Sequence, residues 1–346
     1  VRAGKISPPG RVSSKSEMNF SQLIALASGH GPARIVQTAV ALGIFDALES
    51  SPQAAKEVAT KLNLEPNATE LLLNALAALD VLDKRAEHFS LSDSAKQYLL
   101  QNSARYVGGM ILFEDLSWQS WANLPEAIRT GRSARPANMY QDDPNETEIF
   151  INAMDSLVKA RGDAEVLANA LDWQGVGELL DVGSGPATYP IALCKSFTNM
   201  RATIFDLPGT LKITERFVRE AEMSKRITFI AGDYRKDPIA GKYDVILLSN
   251  IIHGENYQNN QALIGKLALN LKPSGRIVIK DHILDESRAN PAVGAIFSVL
   301  MLLTTHGGRC YSFGEIKIWM ESAGLSRTQQ IDLPPPLTSS LVVGTL

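Results

Sequence analysis

From Phe20 to about Leu100 apolar residues recur at helical spacing, with Ile24, Ile35, Val36, Val40, Leu42 and Ile44 filling one face, and this half is expected to be helical. Within it, Ala54–Ala59, then Leu62 and Leu64, a Pro66-Asn67 cap and the apolar run Thr69–Leu79 scan as helix-turn-helix. Val81–Leu91 reads as two short strands around a polar turn, like the wing of a winged helix. The helical pattern continues from Tyr106 to about Asn169, interrupted at Gly131-Arg132-Ser133 and at an acidic loop from Gln141 to Pro144. After Val176 the period changes. Short apolar runs at Leu179–Val182, Ala202–Asp206, Ile227–Ala231, Tyr243–Leu248 and Arg276–Ile279 predict strands, separated by helical segments at Thr188–Phe197, Leu211–Ala221 and Asn259–Leu271. Two further helices, Ala292–Thr304 and Phe313–Ala323, precede a final extended pair around Gln329–Asp332 and Leu341–Gly344. The alternation predicts an α/β fold, a Rossmann-like doubly wound parallel sheet behind an N-terminal helical, winged-helix-like domain.

With 346 residues, the chain is long enough for more than one domain. The pattern divides it into a tail or appended remnant at 1–17, with Met18 read as a natural start, a winged-helix-like domain at 18–105, a helical linker and pocket region at 106–170, and a sheet domain at 171–346. A hydrophobic fraction of 45%, a charged fraction of 21% and a net charge of -3 give no electrostatic reason to expect nucleic acid. A winged helix often reads DNA, but between Asn63 and Val81 the second helix carries Glu65, Glu70 and Asp80 and no Lys or Arg, so its face repels phosphate. Its leucines, Leu71, Leu72, Leu73, Leu76 and Leu79, suit a core or a subunit interface better. The longest apolar run, Val293–Leu303, is about half of the ~20 residues that span a bilayer, so no membrane partner is expected. Cys194 and Cys310 show no metal or disulfide spacing, and the five histidines form no ligand pair, so a reducing, cytoplasmic setting and no metal are expected.

The densest chemical signal is Glu178–Ala187, an apolar strand running into the turn Gly183-Ser184-Gly185. Glycines there permit a tight turn and close backbone approach to a ligand at the N-terminus of the next helix. A dinucleotide fingerprint requires a third small residue where this chain has Thr188, which disfavours a nicotinamide oxidoreductase. Asp181, two residues before Gly183, instead suits a cationic or zwitterionic ligand such as S-adenosylmethionine. In an open parallel sheet, ligands bind beyond the carboxyl ends of the strands. Each predicted strand ends in polar residues: Asp181, Asp206, Asp233-Tyr234, Ser249–His253 and Asp281. Asp206 is placed to accept ribose hydroxyls, Asp233 to accept from an adenine amino group, and the Tyr234 ring to stack on the base. His253 is a candidate base, with Asp281 on the neighbouring strand, or Glu255, to orient its ring.

In order along the chain, Leu180-Asp181-Val182-Gly183-Ser184-Gly185, Phe205-Asp206-Leu207-Pro208, Ala231-Gly232-Asp233-Tyr234, Ile251-Ile252-His253, Leu271-Lys272-Pro273-Ser274-Gly275-Arg276 and Gly307-Gly308-Arg309 resemble one family. It is that of the class I S-adenosylmethionine-dependent small-molecule O-methyltransferases with an N-terminal winged-helix-like dimerisation domain, which includes plant caffeate and bacterial natural-product enzymes. The resemblance covers Phe20 to the C-terminus. It implies in-line methyl transfer to a small hydroxylated acceptor, a homodimer, S-adenosyl-L-homocysteine as product, and His253 and Asp281 as the catalytic base and its orienting acid. Donor contacts are expected at Asp181, Gly183, Gly185, Asp206, Leu207, Gly232, Asp233, Tyr234 and Ser249, with Arg161 for the donor carboxylate. Trp118, Met154, Met301 and His306 are expected to wall the acceptor pocket. Relatives on this fold also methylate carbon or nitrogen. Three positions depart from the pattern: Ala187 stands where a third glycine is usual, Cys310 where plant members have an acid, and Glu255 where a Trp is common.

Overall fold

The structure, a computed structural model, describes residues 18–133, 135 and 141–346, so the expected tail at 1–17 lies outside the described residues. The N-terminal part comprises α1 (Phe20–Ala27), α2 (His30–Ala41), α3 (Ile44–Ala47), β1 (Gln53–Ala54), α4 (Ala55–Leu62), α5 (Pro66–Ala78), β2 (Leu82–Arg85), β3 (His88–Leu91) and α6 (Asp93–Tyr98). The two wing strands form as expected, and β1, not anticipated from the sequence, joins them in a small sheet of order β1-β3-β2. Glu65 caps α5 by accepting from the Asn67 and Ala68 N–H groups, with Pro66 in the first turn. Leu73 and Leu76 of α5 are buried, but Leu71 is 73% exposed and no residue of α1 is buried, leaving Phe20, Leu23, Ile24 and Leu26 on the surface.

The middle of the chain forms α7 (Gly108–Leu116), α8 (Trp118–Ala122), α9 (Leu124–Thr130), α10 (Pro144–Arg161) and α11 (Asp163–Ala170). The remainder is β4 (Glu178–Val182), α12 (Thr188–Ser196), β5 (Arg201–Asp206), α13 (Pro208–Glu220), β6 (Ile227–Ala231), β7 (Tyr243–Ser249), α14 (Tyr257–Ala268) and β8 (Leu271–Asp281). After it come β9 (Ile283–Leu284), α15 (Ala292–Thr304), β10 (Tyr311–Ser312), α16 (Phe313–Ser322), β11 (Ser326–Asp332) and β12 (Ser340–Thr345). The seven-stranded sheet has the order β11-β12-β8-β7-β4-β5-β6. Its five strands from β6 to β8 are parallel, and β12 runs antiparallel to both β8 and β11, so the sheet is mixed rather than wholly parallel.

Both faces of the sheet are covered, which is why its strands read as continuous apolar runs. Successive side chains point to opposite faces. Leu180, Leu248 and Ile279 pack with Leu263 and Ile264 of α14 and Trp319 of α16, while Leu179, Leu247 and Val278 pack with Leu167 of α11 and Leu193 of α12. The chain starts the sheet at β4, builds out through β5 and β6, then returns to β7 on the other side. Beyond the carboxyl ends of β4 and β7 therefore lies the crevice where such sheets take ligands.

Candidate functional site

Gly183 and Gly185 carry positive φ angles of 69° and 58°, the left-handed backbone that glycine adopts without strain. A Cβ on Gly183 would also collide with the Ile251 side chain. The turn is tied to the end of the neighbouring strand β5, because the Gly183 N–H donates to the Phe205 carbonyl at 2.8 Å and the Gly185 N–H to Asp206 Oδ2 at 2.8 Å. Ala187 adopts a left-handed φ of 61° as it leads into α12, a conformation that explains the glycine usual at this position. Asp181 is buried; its Oδ2 accepts from the Ser184 hydroxyl at 2.6 Å, while its Oδ1 has no partner. Burial pushes its carboxyl up to about 7, with the Asp206 charge adding to the rise and Ser184 opposing it. Asp206 rises to about 6 by burial, against the stabilising Gly185 and Leu207 N–H groups. Leu207 therefore contributes through its backbone N–H, 2.7 Å from Asp206 Oδ1.

At the end of β6, Gly232 lies under the Phe205 ring, where a Cβ would clash. The Asp233 carboxylate is not open: Arg235 clamps it through Nε at 2.9 Å and a terminal nitrogen at 3.0 Å. Burial pushes this carboxyl up, but the Arg235 bonds and the Arg235 and Lys236 charges hold it below the usual range. Tyr234 is buried rather than displayed, and its hydroxyl donates to Glu255 Oε1 at 3.1 Å.

His253 sits in a short 3-10 turn, Ile252–Gly254, just beyond β7. Its Nδ1 lies 2.8 and 3.0 Å from the two Asp281 oxygens. An ionised carboxylate only accepts, so Nδ1 carries the proton and Nε2 is left with its lone pair. Of the two candidate orienting acids, Asp281 makes this contact, and Glu255 turns instead to Tyr234 and to Asn259 Nδ2. Burial alone raises the Asp281 carboxyl, but the charge and hydrogen bond of His253, joined by His282, hold it below its ordinary value. The His282 N–H donates to Asp281 Oδ1 at 2.7 Å, and its Nδ1 donates to the Thr338 carbonyl at 2.9 Å. Phe297 of α15 stands edge-on to His253, with centroids 4.8 Å apart, and 5.0 Å from the His282 ring. Neither Phe297 nor His282 is identified by sequence reasoning, although His282 directly follows Asp281. Gly308 abuts the His253 carbonyl, where any Cβ would collide, which accounts for a glycine there. Cys310 is buried and its thiol is pushed up to about 12 by burial and the Asp281 charge, so a neutral group occupies the position where plant relatives carry an acid.

Residues 121–326 match the O-methyltransferase domain, and residues 24–103 match the O-methyltransferase dimerisation domain. The chain belongs to the O-methyltransferase family. It is 30% identical over 313 residues to the tetracenomycin polyketide synthesis 8-O-methyl transferase of Streptomyces glaucescens, covering 88% of this chain and 91% of that one. It is 28% identical to the 3-hydroxy-5-methyl-1-naphthoate 3-O-methyltransferase of Streptomyces sahachiroi, covering 93% and 94% of the two chains. The L-tyrosine C(3)-methyltransferase of Streptomyces lavendulae is 24% identical, over 97% of this chain and 95% of that one. Human N-acetylserotonin methyltransferase, solved in complex with SAM, shares the fold with a TM-score of 0.86 at 22% identity, over 97% and 99% of the two chains.

In this family member, Arg161 is engaged within the protein: its guanidinium grips Asp163 at 2.9 and 2.8 Å. Asp163 also takes the fully buried Lys280 ammonium at 3.0 Å and the Tyr189 hydroxyl at 3.3 Å, while Ser249, expected as a donor contact, lies at the end of β7. Trp118 donates its indole N–H to Gln37 of α2 at 2.8 Å, joining the middle helices to the N-terminal part. Met154 is half-buried on α10, Met301 is buried on α15, and His306 is exposed in the loop after α15. Among the described residues no cluster of three or more His, Cys, Asp or Glu residues is disposed to hold a metal, and no helix is long and apolar enough to cross a membrane. The uncovered apolar face of α1 and Leu71 of α5 overlap the segment that matches the dimerisation domain.

Proposed function

We propose that this family member transfers a methyl group from S-adenosylmethionine to a hydroxyl of a small aromatic molecule, as a homodimer. The observation that carries the reading is the His253–Asp281 contact beside the crevice, which leaves a basic ring nitrogen available. Donor binding fits the turn: Asp181 has a buried carboxylate oxygen without a partner, Gly183 and Gly185 keep the backbone bare, and both Asp206 oxygens retain lone pairs after accepting one N–H each. When bound, the donor supplies an already activated methyl on a sulfonium. What the protein must add is alignment for in-line attack and removal of the acceptor proton. A phenol of pKa ~10 is ionised in only about one molecule in a thousand at pH 7, and His253 Nε2 offsets that deficit by taking the proton as the new bond forms. Asp281 holds the ring in the required tautomer and stabilises the imidazolium.

Incubation with labelled donor and a panel of phenols, quinones and hydroxylated polyketides tests the reading, and transfer to none of them would refute it. Nitrogen or carbon methylation is the second reading, favoured by the C-methylating relative. An amine acceptor needs no base, so dependence of turnover on His253 separates oxygen from amine nitrogen.

Asp206→Ala is expected to weaken donor binding by about 1–3 kcal/mol, a factor of roughly 5 to 150, through lost ribose hydrogen bonds. Unchanged affinity in calorimetry removes Asp206 from the site. Because burial pushes Asp181 up to about 7 and Asp206 up to about 6, both carboxylates gain protons as pH falls from 8 to 5. Donor affinity should therefore drop over that window, since a neutral carboxyl no longer attracts a sulfonium. A flat calorimetric profile between pH 8 and 5 contradicts this.

A further inference from the structure

The turn that carries His253 is held by side chains more than by its own backbone. Asn260 Nδ2 donates to the Ile252 and Glu255 carbonyls at 2.8 and 3.3 Å, and the Tyr311 hydroxyl donates to the Glu255 carbonyl at 2.6 Å. Those anchors belong to α14 and β10. Asp281 holds His253 itself, through its ring and its N–H, and one further anchor is different. The Glu255 carboxylate, buried and two residues beyond His253, accepts from the Tyr234 hydroxyl, and Tyr234 follows Asp233 at the end of β6. The same Tyr234 ring approaches the glycine turn: its Cε1 lies 3.9 Å from the point where a Cβ on Gly183 would stand, beside Ile251 of the His253 segment.

We infer that Glu255 is a positioning residue that couples the donor crevice to the base, transmitting the placement of Tyr234 to the turn that aims the His253 ring. The inference rests on the proposed donor site. Three features support it. A buried carboxylate costs desolvation, so its retention with both oxygens hydrogen-bonded, one by Tyr234 and one by Asn259, marks an ordered junction rather than filler. The junction borders open space, because Tyr234, Glu255 and Asn259 line a partly open pocket of about 210 Å³. Finally, a displacement of ~1 Å at a reacting group is enough to cost about 10²-fold in rate. Glu255 touches neither the His253 ring nor Asp281, so its effect passes through the backbone of residues 253–255.

The test follows the His253 imidazole by nitrogen-15 NMR in the full chain, with signals assigned by His253→Ala, as S-adenosylhomocysteine is added. In the unsubstituted protein the His253 signals should shift on binding. In Tyr234→Phe and in Glu255→Leu that response should be lost and turnover should fall on the order of tenfold, while calorimetric affinity for S-adenosylhomocysteine stays within about threefold. Glu255→Gln keeps an acceptor for the Tyr234 hydroxyl and should restore both the response and the rate. The Tyr234→Phe/Glu255→Leu double variant should lose no more than either single one, since both remove the same bond. If Glu255→Leu fails to fold, Tyr234→Phe decides by itself, because it deletes only the hydroxyl. Binding without a His253 response in the unsubstituted protein, a response that persists in Tyr234→Phe, or additive losses in the double variant overturns the coupling alone. Failure of S-adenosylhomocysteine to bind at all overturns the donor reading and the coupling with it.

Discussion

Replacing His253 with alanine should lower methyl transfer by about 10²–10⁴ while leaving donor affinity within about twofold, because in the proposed mechanism the ring acts on the acceptor proton. Two parts of this expectation are independent. Turnover at neutral pH reports the lost base, and calorimetry with S-adenosylhomocysteine reports an intact crevice, since the glycine turn and Asp206 are tied to each other and not to the histidine. The residual rate should climb roughly tenfold per pH unit between 7 and 9, as more of a phenol of pKa ~10 ionises without help. Full activity with an ordinary pH profile removes His253 from the mechanism.

Asp281→Asn is the second large effect expected, a fall of about 10² or more in turnover with little change in donor binding. The side chain is 1% exposed and binds three groups at once: the His253 ring, the His282 N–H and, more weakly at 3.4 Å, the His253 N–H. An amide of the same shape removes the charge that stabilises the imidazolium, and its NH₂ group can face Nδ1, which favours the tautomer with the proton on Nε2. Nitrogen-15 NMR of the imidazole distinguishes the two tautomers. A variant that keeps both the Nδ1-protonated ring and the full rate shows that Asp281 has no orienting role.

Much of this site was readable because its parts are local. Asp181-Val182-Gly183-Ser184-Gly185 marks a tight turn at the end of a buried strand, since left-handed backbone there favours glycine. His253 and Asp281 were paired in advance because consecutive parallel strands are commonly neighbours, and β7 and β8 do pair. Strand β8 starts at Leu271, ahead of the expected Arg276, because Leu271 pairs with Tyr243 before a register shift around Pro273-Ser274-Gly275, which reads as a turn.

The choice of partner was not readable. Asp233 was expected to be open and Arg161 to be free, yet each had an oppositely charged neighbour two residues away, Arg235 and Asp163, and local pairing prevailed. Trp118 was expected in the acceptor wall, but its N–H finds Gln37 from a distant part of the chain.

By itself the sequence determined the period of each segment, the glycine turn, and the polar residue ending each strand, because these depend on backbone geometry and on neighbours a few residues away. The tertiary structure alone decided which carboxylate meets His253, which ions are already paired, and that Phe297 stands edge-on to the His253 ring. Such choices depend on distance and burial between segments that nothing in local spacing specifies, and the energy of a charge or hydrogen bond is set by those two quantities.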